Sequence, residues 1–220
     1  MWTFGFQRIG VSRNGSATPP NNLSPAVSSS LLADIVLLSA LAVAAAAFRS
    51  FVRVPLRIPS HSVLQWLPVI ILGQLWVHRS WAGLYQGSLI GAICCLHPGR
   101  IMLSFGALAP LSEYVLAGGL VSWVLHLLGS PTSFGWRVWL ICPAVGLMAN
   151  LGRWVYRLAY YLPFLQGALP HYGLAGYILF YAFFGVGAGL IAAAAYTAFQ
   201  KKAKKNLTGP LAIPYNRFFT

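Results

Sequence analysis

The residues best suited to bind a ligand form a short cluster in the second half of the chain, which reads NLGRWVYRLAYYLP. Asn150, Arg153 and Arg157 recur at three- and four-residue spacing, which places them on one face of a helix. Two arginines one turn apart repel each other unless an anion lies between them. The spacing therefore predicts a face that binds an anionic or aromatic solute, together with Trp154, the neighbour of Arg153.

A second interpretation of the same cluster is an anchor at the membrane interface. Arginine side chains at the end of a membrane helix can extend to the lipid headgroups, while Trp154, Tyr156 and Tyr160 form an aromatic belt. Residue types and spacing are compatible with both interpretations, because aromatic belts and solute sites both combine cations with large rings.

Glu113 is the other candidate, because it is the only carboxylate in the middle of an apolar run. A charge at that depth must face a partner, a cavity or water. We predict that it pairs with Arg153, provided that the helices carrying them are neighbours, as their short connection indicates. Such a pair either fixes the packing of two helices or forms part of a substrate or proton site.

The elements that position these residues follow from composition. Of the 220 residues 58% are hydrophobic and only 8% are charged, so the chain is predicted to be an all-α polytopic membrane protein. The net charge of +13 comes from basic residues at the ends of apolar runs, where they set topology and contact anionic lipid. Nucleic acid is therefore not an expected partner. No motif for a nucleophile, a metal or a nucleotide is present, and we predict no enzyme activity, metal or cofactor.

Six apolar runs predict six transmembrane helices, over residues 31–48, 63–77, 81–96, 101–128, 136–162 and 172–200. Residues 1–30 are predicted to be a disordered polar tail, 31–200 the membrane domain, and 201–220 a basic cytoplasmic tail. With both termini inside the cell, 9 Lys and Arg residues are cytoplasmic and 6 are outside. This excess predicts cytoplasmic termini. The fourth run is long for one crossing, and we expect Pro110 to bend it or its first part to lie in the interface.

Small residues predict where helices approach closely. The third run carries Gly83, Gly87 and Gly91, which form two overlapping GxxxG pairs, and the sixth carries Gly185 and Gly189. Glycine at this spacing lets two helix backbones come together where no hydrophobic drive separates helix from lipid.

The first helix carries alanines four residues apart, and it continues into a basic, proline-bearing loop over residues 49–60. The pairs are Ala40 with Ala44 and Ala42 with Ala46. This helix either presents a small-residue face to another helix or is simply an alanine-rich apolar segment.

The alanine-rich first helix, the loop sequence Arg57-Ile58-Pro59 and the segment GLYQGSLIGAI of the third helix resemble the substrate-binding S component of energy-coupling factor (ECF) transporters. The resemblance implies a protein of the cytoplasmic membrane that captures a vitamin or micronutrient from outside. It also implies two kinds of partner, a transmembrane T component and two cytoplasmic ATPases.

The resemblance further implies where the substrate and the partner bind. The loop after the first helix would be a lid over a pocket in the outer half of the bundle. The matching pocket positions, with Glu113 added from its charge, are Arg57, Glu113, Asn150, Arg153, Trp154, Arg157, Tyr172 and Tyr177. The contact with the T component would fall on Ala40, Ala42, Ala44 and Ala46.

A different class of function is also compatible with the sequence. The chain would then be a structural or assembly protein without a ligand, which packs its partners through the glycine faces of the third and sixth helices. In that interpretation the arginines are headgroup anchors.

Overall fold

Within the residues that the computed structural model describes, which are 25–52, 58, 60–96, 108–128, 136–161 and 173–207, the regular structure is entirely α-helical. The six helices are α1 (Pro25–Phe51), α2 (Val63–Val77), α3 (Ala82–Cys95), α4 (Leu108–Leu128), α5 (Trp136–Tyr161) and α6 (Gly173–Leu207). Each lies where an apolar run predicted a helix, so the all-α fold class is confirmed.

Four of these helices are long and apolar enough to cross a membrane, in the segments Ser30–Phe51, Leu111–Leu128, Trp136–Ala159 and Gly173–Lys202. This is the architecture expected of a membrane protein. The other two helices are apolar but shorter, with 15 residues in α2 and 14 in α3, whereas a full crossing takes roughly 20 residues. Length and composition therefore support four membrane spans, and six spans remain a prediction.

The short helices α2 and α3 are joined by a tight turn. His78 has a left-handed backbone (φ 54°), and its N–H still donates to the carbonyl of Gln74 at 3.1 Å. The side-chain oxygen of Gln74 in turn accepts from the Gly83 N–H at 2.6 Å and from the Ser122 hydroxyl at 2.9 Å. One buried amide thus ties α2 to the start of α3 and to α4.

Helix α2 is the centre of the bundle. It contacts each of the other five helices, and its side chains Trp66, Leu67, Ile70 and Ile71 are fully buried. A helix that is apolar on every side has to be surrounded by protein or lipid. Around it, α3 packs between α1 and α4, and α5 packs between α4 and α6.

The glycines of α3 form its contact with α4. A Cβ added at Gly87 would overlap the backbone carbonyl of Tyr114, and one added at Gly118 would overlap that of Gly83. The two backbones are therefore in direct contact, as small residues at this spacing allow.

Helices α5 and α6 meet in the same way. A Cβ at Gly185 would lie within 2.6 Å of the Gly146 carbonyl oxygen, and one at Gly189 would overlap the Cys142 carbonyl. The predicted glycine faces of α3 and α6 are therefore both covered within this chain. The assembly interpretation, which needs these two faces for a partner, is wrong on that point.

The small-residue face of α1 is divided. Ala42 and Ala46 are fully buried in the core, whereas Ala40 and Ala44 are exposed. Only the second pair is free to contact another protein, because the first already packs inside the bundle.

Helices α1 and α6 are longer than the apolar runs that predicted them. The helical part extends beyond residues 31–200, because α1 begins at Pro25 and α6 ends at Leu207. Proline is favourable at the first helical position, where its missing N–H is not needed, and the lysines after residue 200 are good helix formers that complement the carboxyl end of the helix dipole. Pro110 lies in the first turn of α4 and therefore interrupts no hydrogen bond inside that helix.

Candidate functional site

The candidate site lies at one end of the bundle, where α1, α3 and α5 finish and α2, α4 and α6 begin. We call this the site end. Because neighbouring helices run antiparallel there, Trp66 near the start of α2 and Glu113 near the start of α4 face Arg153 near the end of α5. Polar residues from distant parts of the sequence are brought together in this way.

The centre of the site is one carboxylate held by two arginines. Arg153 Nε donates to Glu113 Oε2 at 3.0 Å. Arg157 donates twice, from Nε to Oε1 at 2.6 Å and from Nη2 to Oε2 at 2.8 Å. The predicted pairing of Glu113 with Arg153 is confirmed, and the repulsion between the two arginines is relieved by a protein side chain. Both carboxylate oxygens are thereby engaged.

Arg157 has further support from α6. Its remaining terminal nitrogen, Nη1, donates to the Tyr181 hydroxyl at 3.0 Å. The side chain is still 37% exposed, so this arginine lies at the edge of the site, where it can meet solvent or lipid headgroups.

Arg153 is buried more deeply and is less well satisfied. Its side chain is only 2% exposed, and its guanidinium lies over the Trp66 ring at 5.5 Å from the ring centroid. Its Nη1 atom is buried without an acceptor in the described part of the chain. A buried donor without a partner costs about 1–3 kcal/mol, which makes this atom the most conspicuous polar feature of the site. Arg153 cannot act as the headgroup anchor of the alternative interpretation, because it points into the bundle.

A second hydrogen-bonded group lies beside the ion pair. Asn150 Nδ2 donates to the Ser60 hydroxyl at 2.8 Å and to the Tyr181 carbonyl at 2.6 Å, and Asn150 and Ser60 are almost fully buried. Ser60 is one of few non-glycine residues here with a left-handed backbone (φ 65°). Asn150 thus holds Ser60, in the turn before α2, against α5 and α6.

A third arginine comes from α1. The Arg49 guanidinium lies 5.1 Å from the centroid of the Tyr114 ring, and Tyr114 packs edge-to-face on Trp66 with the ring centroids 4.8 Å apart. Arg49 Nη1 and Trp66 Nε1 are further buried donors without an acceptor among the described residues.

The other predicted site residues are placed differently. Trp154 is half-buried on α5, but it points about 100° away from Arg153 around the helix. Tyr177 is half-buried on α6, one turn before Tyr181. Arg57 and Tyr172 lie outside the described residues.

The aromatic-belt interpretation is also only partly compatible with the structure. Tyr156 does not simply face lipid, because its hydroxyl forms a hydrogen bond with the Ser112 hydroxyl of α4 at 2.5 Å. This bond adds to the α4–α5 contact on the same side as the ion pair.

Arg49 and Ser60 are the two ends of the segment predicted to be a lid, but neither was singled out as a binding residue. Trp66, Tyr114 and Tyr181 were not predicted at the site at all. Tyr181 follows the predicted Tyr177 by four residues and so shares its helix face, which is a signal that sequence reasoning could have used. The others depend on which helices are neighbours, and residue spacing does not carry that information.

A comparison of the chain with protein-family models, curated proteins and solved structures finds no match. Among the described residues, no group of three His, Cys, Asp or Glu side chains is arranged to hold a metal ion. What the geometry does provide is two guanidinium groups on one carboxylate, with a third guanidinium, that of Arg49, on the neighbouring Tyr114 ring. The apolar setting strengthens the attraction of such groups for an anion.

Proposed function

We propose that this chain is a membrane protein that binds a small solute carrying an acidic group, at the arginines of the site end. The observation that carries the proposal is Arg153, a buried cation that has an N–H without an acceptor although Glu113 is its neighbour. Charged groups inside a membrane domain are costly and mark functional sites by default.

In its more specific form, the proposal is that the chain acts as a substrate-binding S component of an ECF-type uptake system. All six helices would then cross the cytoplasmic membrane, both termini would be cytoplasmic, and the site end would face outward. A T component would contact the exposed alanines Ala40 and Ala44 of α1, and two ATPases would supply the energy. The sequence resemblance and the exposure of this alanine pair support this form.

A structural role is the second candidate, and the geometry of Glu113 favours it. The carboxylate accepts three hydrogen bonds from Arg153 and Arg157, as a pair that only fixes the packing of α4 on α5 would. In this alternative the arginines need no ligand, and the protein contributes to membrane assembly through other surfaces.

The two candidates are separated by native mass spectrometry of the full-length protein, purified in mild detergent from cells grown in rich medium. The proposal predicts a retained small molecule with an acidic group. The informative variant is the double substitution Glu113→Gln with Arg153→Met, because replacing a buried ion pair by neutral groups of similar size preserves stability.

The double variant should fold and lose the retained molecule. The control Arg79→Met changes an arginine that pairs with Asp34 of α1, away from the site end, and should keep the molecule. A molecule retained equally by the double variant would contradict the proposed site. A protein that never carries a small molecule, but does carry a stoichiometric membrane partner, would favour the structural role.

A further inference from the structure

Three buried N–H donors at the site end have no acceptor among the described residues. They are Arg49 Nη1 on α1, Trp66 Nε1 on α2 and Arg153 Nη1 on α5. Trp66 is fully buried, and Arg153 is 2% exposed. Tyr114 Oη is a further buried polar atom without a partner among the described residues. Each unsatisfied donor costs about 1–3 kcal/mol, so a cluster of them calls for an explanation.

These donors surround a single pair of aromatic rings. Arg153 covers the Trp66 ring, Arg49 covers the Tyr114 ring, and the two rings are in edge-to-face contact at 4.8 Å. Cation–π contact stabilises each guanidinium on its ring, but a ring face cannot accept all the N–H groups of a guanidinium.

The protein has no carboxylate left to neutralise Arg49. The whole sequence contains two acidic residues, Asp34 and Glu113. Asp34 pairs with Arg79 at 3.0 Å, and Glu113 pairs with Arg153 and Arg157. Among the described residues, three arginines against one carboxylate give the site end an excess of two positive charges.

The group that satisfies such a set is an oxyanion. Carboxylate and phosphate oxygens accept several hydrogen bonds at once, and they bind guanidinium groups in the strong, charge-assisted manner. An indole N–H adds one directed donor without adding charge.

We infer that Arg49, Trp66 and Arg153 form an oxyanion subsite, which binds a carboxylate or phosphate group between α1 and α5. The inference rests on the proposed function and specifies it, because it assigns the acidic group of the ligand to these three donors and adds Trp66 to the arginines.

The subsite also implies how a ligand enters. Its donor atoms are enclosed, and among the described residues α1 packs mainly on α2 and α3. The end of α1 that carries Arg49 must therefore move aside for a ligand and return over it, since α1 is the peripheral element and Arg153 is fixed by Glu113. A bound oxyanion then links α1 to α5.

The test uses the full-length protein in nanodiscs of phosphatidylcholine alone, titrated with benzoate, with inorganic phosphate, or with benzamide as the neutral counterpart of benzoate. Unfolding temperature and isothermal titration calorimetry measure binding. The variants are Arg49→Met, which keeps an apolar cover on Tyr114, and Arg79→Met as the control. Arg79 lies in the turn between α2 and α3, where it pairs with Asp34 of α1.

Benzoate or phosphate should stabilise the wild type and the Arg79→Met control, and benzamide should not. Affinity should fall about 10- to 100-fold in Arg49→Met, which is what the loss of one charge-assisted hydrogen bond implies. The unliganded Arg49→Met protein should be no less stable than the wild type, because the substitution removes an unsatisfied donor.

The other outcomes separate the subsite from the proposed function. Equal binding to wild type and Arg49→Met, together with loss in the Glu113→Gln, Arg153→Met double variant, overturns the subsite and leaves the solute site in place. Stabilisation that requires phosphatidylglycerol in the nanodisc, and again depends on Arg49, supports the subsite but assigns it to a lipid headgroup, which overturns the solute function. No response to any oxyanion overturns both.

Discussion

Replacing Glu113 with Gln should destabilise this protein strongly. The substitution keeps the size of the side chain but removes the single negative charge between Arg153 and Arg157, which then face each other one helical turn apart. Glu113 is 6% exposed and Arg153 is 2% exposed, so water cannot replace the lost charge.

The magnitude follows from the burial of each pair. Removing one partner of a buried ion pair costs about 3–5 kcal/mol, because the remaining charge is left uncompensated. This applies in full to Arg153. The Arg157 pair contributes about 0–1 kcal/mol more at most, because that side chain is 37% exposed and solvent screens it. The expected loss is therefore about 3–6 kcal/mol, or a lowering of the unfolding temperature by about 6–24 °C for a chain of this size.

The protein carries its own reporters for the assay. Cys94 and Cys142 are buried, whereas the third cysteine, Cys95, is only half-buried. In a Cys95→Ser background, a thiol-reactive fluorophore therefore labels the two buried thiols only as the bundle unfolds in detergent. The matched control is Asp34→Asn, which breaks the ion pair with Arg79. Its side chains are 25% and 39% exposed, and the expected loss is only about 0–1 kcal/mol.

If Glu113→Gln lowers the unfolding temperature no more than Asp34→Asn does, the buried ion pair does not have the predicted effect on stability. A second check is the addition of Arg153→Met to the Glu113 variant. Because the uncompensated buried charge is then gone, most of the lost stability should return, and a further loss would show that the cost has another origin.

Two further predictions concern the contacts that position the site. Gly87→Ala should lower the free energy of unfolding by about 1–3 kcal/mol, because the added Cβ would overlap the Tyr114 carbonyl. The control Gly119→Ala, whose Cβ would have its nearest neighbour at 3.5 Å, should melt like the wild type. Equal melting temperatures for the two variants would disprove the close α3–α4 contact. Asn150→Leu should lower the free energy of unfolding by about 1–2 kcal/mol, because it removes hydrogen bonds between helices. The control Ser88→Ala removes a hydrogen bond within one helix and should lower the stability less in the same thiol-labelling assay.

Helix positions were predictable because they depend on local properties of the chain. The limits of α2, Val63 and Val77, coincide with the predicted run, since an apolar segment ends where polar residues must leave the core. The face shared by Asn150, Arg153 and Arg157 was predictable for the same reason, because helical periodicity is a property of one segment.

The contact partners of these residues were harder to predict from the sequence. Glu113 was predicted to meet Arg153 because the two helices are consecutive and a partner is one of the environments that a charge in an apolar domain requires. The other contacts depend on the order of helices around α2. This order lets Arg157 bind the same carboxylate and brings Tyr181 of α6 to Arg157. It also brings Asn150 to Tyr181 and to Ser60, in the turn before α2.

The sequence by itself determined an all-helical apolar protein with two acidic residues and many arginines, and it predicted that Arg153 pairs with Glu113. Only the tertiary structure decided that Arg49, Trp66 and Tyr114 join Arg153 at one end of the bundle, and that the glycine faces of α3 and α6 are used within the chain. The physical reason is that burial and charge balance act on each residue locally, whereas contacts between α1, α2, α4 and α5 depend on how all six helices pack together.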